Sequence, residues 1–191
     1  AAGLYTNRAE EVREVLGGAP VKRDDEDAWP DSPDLLADGV DALDAAESLR
    51  ELGNKRFKEQ RLADAAAIYR KAQLYLRGLP GDDERGQRAR ACAVAVLGNA
   101  ALCHLKSQEL EACVGACDAV LALEPRNVKA LLRKASALKA QDDFDGAEAL
   151  LLLAKEADPA DAVVQRELAE LARKKRADKE SEKRLARKMF G

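Results

Sequence analysis

The sequence predicts an all-α solenoid of stacked helical hairpins, and three observations lead to this fold class. Of its 191 residues, 47% are hydrophobic and 35% are charged, but only 4% are aromatic, which is typical of helices rich in Ala, Leu, Glu, Lys and Arg. There are only six Pro and twelve Gly. One part of the chain also repeats at a fixed period, and such a period predicts stacked units rather than a single core.

The first 34 residues are predicted to be a short helix followed by an acidic linker. Asn7 can cap a helix over residues 8–16, which is too short to be stable alone. Residues 17–34 contain the acidic run Asp24–Asp27 and, after it, two prolines, Pro30 and Pro33. Because like charges repel and Pro lacks an N–H donor, we expect this linker to be extended.

The period appears when residues 110–125 are compared with residues 144–159. Matching positions are 34 residues apart: Cys113 and Ala147, Cys117 and Leu151, Pro125 and Pro159. An earlier copy around Ala65 and Tyr69 stands 48 residues before the copy at residues 110–125. This distance exceeds the period of 34, so we expect an insertion near residues 78–86. Arg77 stands where Pro would end that copy, and we therefore expect its second helix to run on into the insertion.

This pattern resembles the tetratricopeptide repeat (TPR), a helix-turn-helix unit with a small residue where its helices touch and Pro after the second helix. The small residues are Ala65, Cys113 and Ala147. Within residues 35–161, the resemblance implies repeats at about 46–79, 94–127 and 128–161, wound into a right-handed superhelix. Residues 162–191 then form a long basic capping helix with an apolar stripe of Val164, Leu168 and Leu171.

In such a stack, the first helix of each repeat lines a concave groove, so its polar residues are candidate ligand contacts. Arg50 and Asn54 are one helical turn apart, as are Lys129 and Arg133, and Asn99 belongs to the second repeat. Cations and amides together favour a ligand with carboxylates, because ionised acceptors form the strongest hydrogen bonds with Arg and Lys.

These five residues also resemble the carboxylate clamp of TPR co-chaperones, which bind the acidic Glu-Glu-Val-Asp tail of heat shock protein 90 and sometimes of heat shock protein 70. In that motif the first repeat supplies Lys and Asn, the second Asn, and the third Lys and Arg. Four residues match, whereas Arg50 replaces the usual Lys and keeps its charge but not its geometry. The alternative is that all five are ordinary solvated positions.

The resemblance also implies a role for each residue. Lys129 and Arg133 would bind near the side chain of the terminal Asp. The main-chain carboxylate of that residue would be bound by Arg50, Asn54 and Asn99. Phe57 and Leu102 would form an apolar pocket for the Val of the ligand.

The C-terminal end narrows the resemblance. Residues 173–190 form a basic helix, too polar for a core, that ends in Lys-Met-Phe. Together with the acidic linker and the stretch Leu52-Gly53-Asn54, it resembles the large immunophilins, more the forty-kilodalton cyclophilins than the FK506-binding branch. That family places a prolyl isomerase domain before three repeats. We expect no such domain within this chain, so the rival interpretation is that it is the C-terminal part of an isomerase.

Charge is distributed in blocks and suggests further partners. Residues 1–45 carry a net charge of −8, residues 46–165 are neutral and residues 166–191 carry +5. The basic tail is interpreted first as a solvated capping helix and second as a calmodulin site, as the immunophilin resemblance implies. A basic amphipathic helix can also bind an anionic membrane, but we expect no membrane partner. We expect no nucleic acid, because no aromatic residues interleave the basic ones.

Catalytic and metal chemistry are not expected. The four cysteines and His104 lack a CxxC pair, and Cys113 and Cys117 stand at packing positions of the repeat, so we expect small buried apolar residues rather than zinc ligands. No phosphate loop or nucleophile motif occurs, and the chain is predicted to be a non-enzyme without a cofactor. The apolar runs are too short for a membrane span, and we expect a cytoplasmic protein. A general scaffold for an unrelated peptide is the remaining alternative.

Overall fold

The structure is a computed structural model that describes residues 29–30, 33–36, 40–79 and 81–190. The predicted helix at residues 8–16 and most of the acidic linker lie outside these residues. Every regular element that the structure describes is helical, which confirms the all-α class. No helix in the described part of the chain combines the length and apolarity of a membrane span. The chain divides into two compact units, residues 1–107 and 108–191.

The described part of the first unit contains three long helices, namely α1 (Ala42–Lys58), α2 (Leu62–Tyr75) and α3 (Glu84–Lys106). α2 packs against both neighbours, and α1 also contacts α3. Asp41 caps α1 by accepting a hydrogen bond from the backbone N–H of Leu43 at 2.7 Å, and Asp83 caps α3 in the same way. The largest fully buried side chains in this core are Tyr69, Tyr75, Leu43, Leu49 and Ile68.

The insertion lengthens α3 rather than α2, in contrast to the expectation from Arg77. α2 ends at Tyr75, whereas α3 begins at Glu84, well before residue 94. The cause is the composition of the segment, since helix-forming Arg, Gln and Ala follow the Asp83 cap. Arg85 pairs with Asp41 at 2.8 Å and Arg88 with Glu47 at 3.0 Å, so the added turns of α3 are held against α1.

Part of the acidic linker docks on the first unit instead of being extended. Trp29 is only 6% exposed and lies edge-on to Tyr75, with ring centroids 6.5 Å apart. The hydroxyl of Tyr75 donates a hydrogen bond to the backbone carbonyl of Pro30 at 2.5 Å. Pro33–Leu35 then forms one 3₁₀ turn. The large apolar surface of one Trp explains why this part of a polar segment is buried.

The second unit contains four helices, namely α4 (Leu110–Leu123), α5 (Val128–Ala140), α6 (Phe144–Ala157) and α7 (Ala162–Phe190). Each packs against the next along the chain. Ala135, Ala147, Leu151 and Leu171 form one buried cluster, and Leu131, Ala154 and Val164 form another. Small residues at the helix contacts explain why the core needs few aromatic side chains.

α7 covers α6 through the predicted apolar stripe. Val164 and Leu171 are buried, and Leu168 packs against both clusters. The Nζ atom of Lys175 lies 2.5 Å from a carboxylate oxygen of Asp145 and of Glu148. These contacts hold the first part of α7 against α6, which confirms the long capping helix.

The turns inside the helix pairs repeat with the period of the sequence. Gln60, Gln108 and Asp142 adopt positive φ angles of 62°, 61° and 61°. They follow the first helix of each pair, where a left-handed residue commonly ends a helix. Their separations along the chain are those of the sequence copies, 48 and 34 residues. The ends of α1, α3 and α5 therefore recur at the spacing of the sequence copies.

Candidate functional site

The predicted polar residues of the first unit lie on α1 and α3. Arg50 and Asn54 are one turn apart on α1, and Asn99 is on α3. The Nδ2 atom of Asn99 donates a hydrogen bond to Oδ1 of Asn54 at 2.9 Å. Two predicted residues that stand 45 positions apart are therefore in direct contact.

Tyr69 on α2 completes this contact, although it is not among the residues predicted for the site. Its hydroxyl donates a hydrogen bond to the same Oδ1 atom of Asn54 at 2.7 Å. The side chain is 1% exposed, and its burial raises the pKa of Tyr69 to about 12. The hydroxyl therefore keeps its proton in neutral solution and remains a donor. In the sequence Tyr69 is visible only as a repeat marker, four residues after Ala65.

Gly53 allows Tyr69 to reach Asn54. A Cβ atom at position 53 would lie 2.5 Å from Cε1 of Tyr69 and 2.8 Å from its Cδ1, which is closer than side chains approach one another. Gly inside a helix costs stability because it loses the most backbone freedom on folding. Here the absent side chain provides the space for the aromatic ring.

Arg50 lies beside the same cluster. Burial raises the pKa of the Cys92 thiol, while the charge of Arg50 and its hydrogen bond to Cys92 act in the opposite direction. The charge of Arg50 also acts to lower the pKa of Tyr69, against the larger effect of burial. The structure thus places this cation near both a buried thiol and the tyrosine that contacts the asparagines.

An apolar cavity opens next to the paired asparagines. It has a volume of about 190 Å³ and is lined by Asn54, Phe57, Lys58, Tyr69, Asn99 and Leu102. The two residues predicted to form an apolar pocket, Phe57 and Leu102, are both half-buried in its wall. The Nζ atom of Lys106 lies 5.7 Å from the centroid of the Phe57 ring. The cavity can hold an aliphatic side chain beside amide donors, with positive charge at its edge.

The predicted residues of the second unit lie on α5. Lys129 is exposed and Arg133, one turn later, is half-buried. Among the residues that the structure describes, neither forms an ion pair, whereas the adjacent Lys134 pairs with Asp118 at 2.5 Å. Two uncompensated cations on one helical turn are a suitable site for an anionic ligand.

The cysteines are buried free thiols. Cys92, Cys103, Cys113 and Cys117 are all buried, as the repeat predicts for the last two. A hydrogen bond between Cys113 and Cys117 lowers the pKa of Cys113 and raises that of Cys117, and the charge of Arg133 lowers both. Within the described ranges no three His, Cys, Asp or Glu side chains are grouped closely enough to hold a metal ion.

The curated proteins that are similar to this chain in sequence include two peptidyl-prolyl isomerases. Peptidyl-prolyl cis-trans isomerase D of Cryptococcus neoformans is 35% identical over 187 residues, which cover 86% of this chain and 49% of the relative. Peptidyl-prolyl cis-trans isomerase FKBP4 of Bos taurus is 31% identical over 149 residues, which cover 78% of this chain and 32% of the relative. The chain thus spans less than half the length of either protein. No family model matches the chain.

Solved structures with the same fold include TPR domains. The Hsp90 co-chaperone Cns1 from Saccharomyces cerevisiae matches with a TM-score of 0.70 and 22% identity, over 78% of this chain and 45% of that one. The first TPR of Spaghetti (RPAP3), bound to the HSP90 peptide SRMEEVD, gives 0.55 and 22%, over 67% and 90%. The second TPR domain of human RPAP3, in complex with the HSP70 peptide SGPTIEEVD, gives 0.54 and 22%, over 66% and 94%.

Proposed function

We propose that this chain, a TPR domain homologous to the C-terminal TPR domains of immunophilin co-chaperones, binds the acidic C-terminal tail of heat shock protein 90 in the cytoplasm. One observation carries this proposal: the hydrogen-bonded pair of Asn54 and Asn99 lies beside an apolar cavity. A peptide that ends in Val-Asp has both complementary groups, a carboxylate for the amide donors and an aliphatic side chain for the cavity.

The proposed contacts divide between the two units. In the first unit, Arg50, Asn54 and Asn99 bind the terminal main-chain carboxylate, and Phe57 and Leu102 receive the Val side chain. In the second unit, Lys129 and Arg133 bind near the carboxylate of the terminal Asp side chain. The repeat register of these residues in the sequence supports one peptide engaging both sets. Lys129 and Arg133 are suitable for this contact because no carboxylate of the described chain competes with the peptide carboxylate for them.

Calorimetric titration with the peptide Met-Glu-Glu-Val-Asp tests the proposal. We expect one peptide to bind per chain, and a peptide with a C-terminal amide to bind much more weakly. The double variant Lys129→Ala/Arg133→Ala should bind roughly thirtyfold less tightly or worse, the equivalent of about 2 kcal/mol.

The matched control is Lys155→Ala/Arg173→Ala, which removes one Lys and one Arg from exposed positions of the same unit. Its affinity should stay within about twofold of the original, since distant exposed charges are screened. The proposal fails if the unmodified chain does not bind the peptide, or if the Lys129 and Arg133 variant binds as tightly as the control.

The choice between two chaperone tails is a finer part of the same proposal. The RPAP3 peptides differ in the residue before Glu-Glu-Val-Asp, which is Met in one and Ile in the other. Titration with SRMEEVD and with PTIEEVD measures this preference. We propose that the first binds more tightly, and the opposite order would redirect the proposal to heat shock protein 70.

The isomerase activity in the names of both relatives is proposed only for a longer protein that contains this domain. The five proposed contact residues form a set of donors and cations for holding a ligand, with no nucleophile among them. We expect the 191-residue chain to leave the rate of prolyl isomerisation in a test peptide at its uncatalysed value. A rate above background, proportional to chain concentration and abolished by an Asn54→Ala substitution, would contradict this assignment.

The end of α7 supports a second candidate function. Leu185 and Met189 are 59% and 66% exposed, one turn apart on a basic stretch of the helix. We propose that this stretch binds calmodulin, which accepts basic amphipathic helices. Fluorescence polarisation with labelled calmodulin should show calcium-dependent binding that Leu185→Glu/Met189→Glu abolishes. Binding that is independent of calcium or unaffected by this variant would exclude it.

A further inference from the structure

We propose that Tyr69 is the positioning residue of the candidate peptide site, because its hydroxyl fixes the amide of Asn54 so that the paired asparagines present N–H donors to the ligand. This inference rests on the proposed function and adds a residue of α2 to the contact residues Asn54 of α1 and Asn99 of α3. The positions predicted from the sequence do not include it.

The first step of the argument concerns the hydrogen-bonding capacity of Asn54. Its Oδ1 atom has two lone pairs, and both are used: Tyr69 Oη donates at 2.7 Å and Asn99 Nδ2 donates at 2.9 Å. The remaining polar group of Asn54 is its NH₂, which can only donate. Rotation of this amide alone by 180° would place its NH₂ against the NH₂ of Asn99, which would lose its acceptor. The orientation of Asn54 is therefore determined by its two donors.

The second step concerns the rigidity of the donor. The ring of Tyr69 is buried at 1% exposure, and position 53 must be Gly for the ring to lie where it does. Burial also raises the pKa of Tyr69 to about 12, so the donating proton is present throughout the physiological range. A buried ring that keeps its proton is a suitable group for orienting a neighbour, because the position and protonation of its hydroxyl stay the same over this pH range.

The third step follows from the position of the network at the cavity. Asn54, Tyr69 and Asn99 all line the same 190 Å³ cavity as Phe57 and Leu102. Because the Oδ1 atom of Asn54 is already occupied, this residue offers a ligand only its NH₂ group, which suits a carboxylate rather than an N–H group. Pre-oriented donors also reduce the ordering cost of binding. Tyr69 therefore contributes to affinity without needing to touch the ligand.

The test is a double-mutant cycle measured by titration with Met-Glu-Glu-Val-Asp. Tyr69→Phe removes only the hydroxyl and is expected to weaken binding about fivefold. In the background of Asn54→Ala, the same substitution should change affinity less than twofold, since the residue through which Tyr69 acts is gone. A similar loss in both backgrounds would indicate a general structural effect and would overturn the proposal.

Tyr75→Phe is the matched control. Tyr75 is a second buried tyrosine of α2, and its hydroxyl donates to the backbone carbonyl of Pro30 rather than to Asn54. We expect its removal to cost stability comparably but to leave peptide affinity within twofold. If Tyr75→Phe weakened binding as much as Tyr69→Phe, the effect would belong to the packing of α2, and the proposal would fail.

A measurement on the free chain separates this inference from the proposed function. In ¹⁵N-resolved NMR spectra, Tyr69→Phe should shift the side-chain NH₂ resonances of Asn54 and Asn99, whereas Tyr75→Phe should leave both unchanged. Unshifted resonances would overturn the positioning role whatever the peptide does. Shifted resonances in a chain that binds no peptide would contradict the proposed function while retaining the orientation of Asn54.

Discussion

The two units hold their candidate contact residues in different ways. In the first unit, Asn54 and Asn99 are hydrogen-bonded to each other and to a buried tyrosine, within a well-packed set of three helices. In the second unit, Lys129 and Arg133 extend from α5 and form no ion pair with any described residue. One set is organised by internal contacts, and the other is available because it lacks them.

This difference separates two physical contributions to ligand recognition. Hydrogen-bonded amides determine the orientation of the ligand, since their donors are fixed before the ligand binds. Unpaired cations give attraction, which depends weakly on geometry and strongly on ionic strength. Substitutions in the first unit should therefore change both folding and binding, whereas substitutions at the two cations of the second unit should change binding alone.

The largest expected effect comes from a Gly→Ala substitution, which should lower the stability in the first unit and raise it in the second. Gly53→Ala places a Cβ atom 2.5 Å from the rigid ring of Tyr69, and we expect it to destabilise the chain by about 2–3 kcal/mol. Gly115→Ala on α4 meets no atom within 4 Å and should stabilise by about 0.5–1 kcal/mol, because Ala is the better helix former. Urea unfolding measures both free energies.

The second Gly is the matched control for the first, since both lie inside helices and gain the same methyl group. If Gly53→Ala were also stabilising, the ring of Tyr69 would not be held where the structure places it. The positioning argument would then lose its basis.

The period of the sequence predicts the register of the fold because it reflects a local rule. A small residue must recur where two helices touch, and a turn must recur where the first helix ends, so Gln60, Gln108 and Asp142 take the same conformation. The period does not predict the length of α3, because that length follows from a separate local signal, the Asp83 cap and the helix-forming residues after it. The exposed ion pairs of Arg85 and Arg88 with the start of α1 only add to this local preference.

The candidate site shows the same division. Resemblance to a motif predicts which helix positions carry Asn54 and Asn99, because a repeat assigns equivalent positions. It does not predict that the two amides touch, nor that the hydroxyl of Tyr69 joins them, because both facts depend on side-chain conformations and on the space left by Gly53. The burial of Trp29 was missed for a related reason, since a polar, charged segment gives no periodic signal.

The next largest effect compares one contact residue from each unit. Asn54→Ala leaves the buried hydroxyl of Tyr69 and the NH₂ of Asn99 without their acceptor, and we expect a loss of about 1–2 kcal/mol in unfolding free energy. Arg133→Ala should change it by less than about 0.5 kcal/mol, because no ion pair is lost. Chemical denaturation of both variants at pH 7 measures this contrast. Equal losses would remove the distinction between the units.

A smaller effect appears at high pH and concerns Tyr69 of the first unit. Burial raises the pKa of Tyr69 to about 12, above the usual 10 of the unfolded chain. Below pH 10 both states hold the proton. Above it the unfolded state releases its proton first, so the stability contributed by Tyr69 falls as pH rises towards 12, by at most about 1.4 kcal/mol per pH unit.

Comparison with Tyr69→Phe isolates this contribution from all other groups that titrate. The difference in unfolding free energy between the unmodified chain and the variant should shrink by about 1 kcal/mol between pH 9 and pH 11. A difference that stays constant over this interval would mean that the hydroxyl of Tyr69 titrates as in the unfolded chain. Burial would then have no effect on the Tyr69 hydroxyl, and the contrast between a buried donor in the first unit and the cations of the second would be lost.

The smallest expected effect is the response of peptide affinity to salt, and it distinguishes the units most directly. Raising NaCl from 50 to 500 mM should weaken binding of Met-Glu-Glu-Val-Asp several-fold, because the Debye length falls well below the range over which Lys129 and Arg133 attract the peptide. In Lys129→Ala/Arg133→Ala the slope of log Kd against log salt concentration should be clearly flatter. Asn99→Ala should weaken binding at every salt concentration and keep the original slope, since a neutral donor contributes geometry and no long-range field. An altered slope in Asn99→Ala with an unaltered one in the double variant would reverse the assignment of attraction to the second unit and direction to the first.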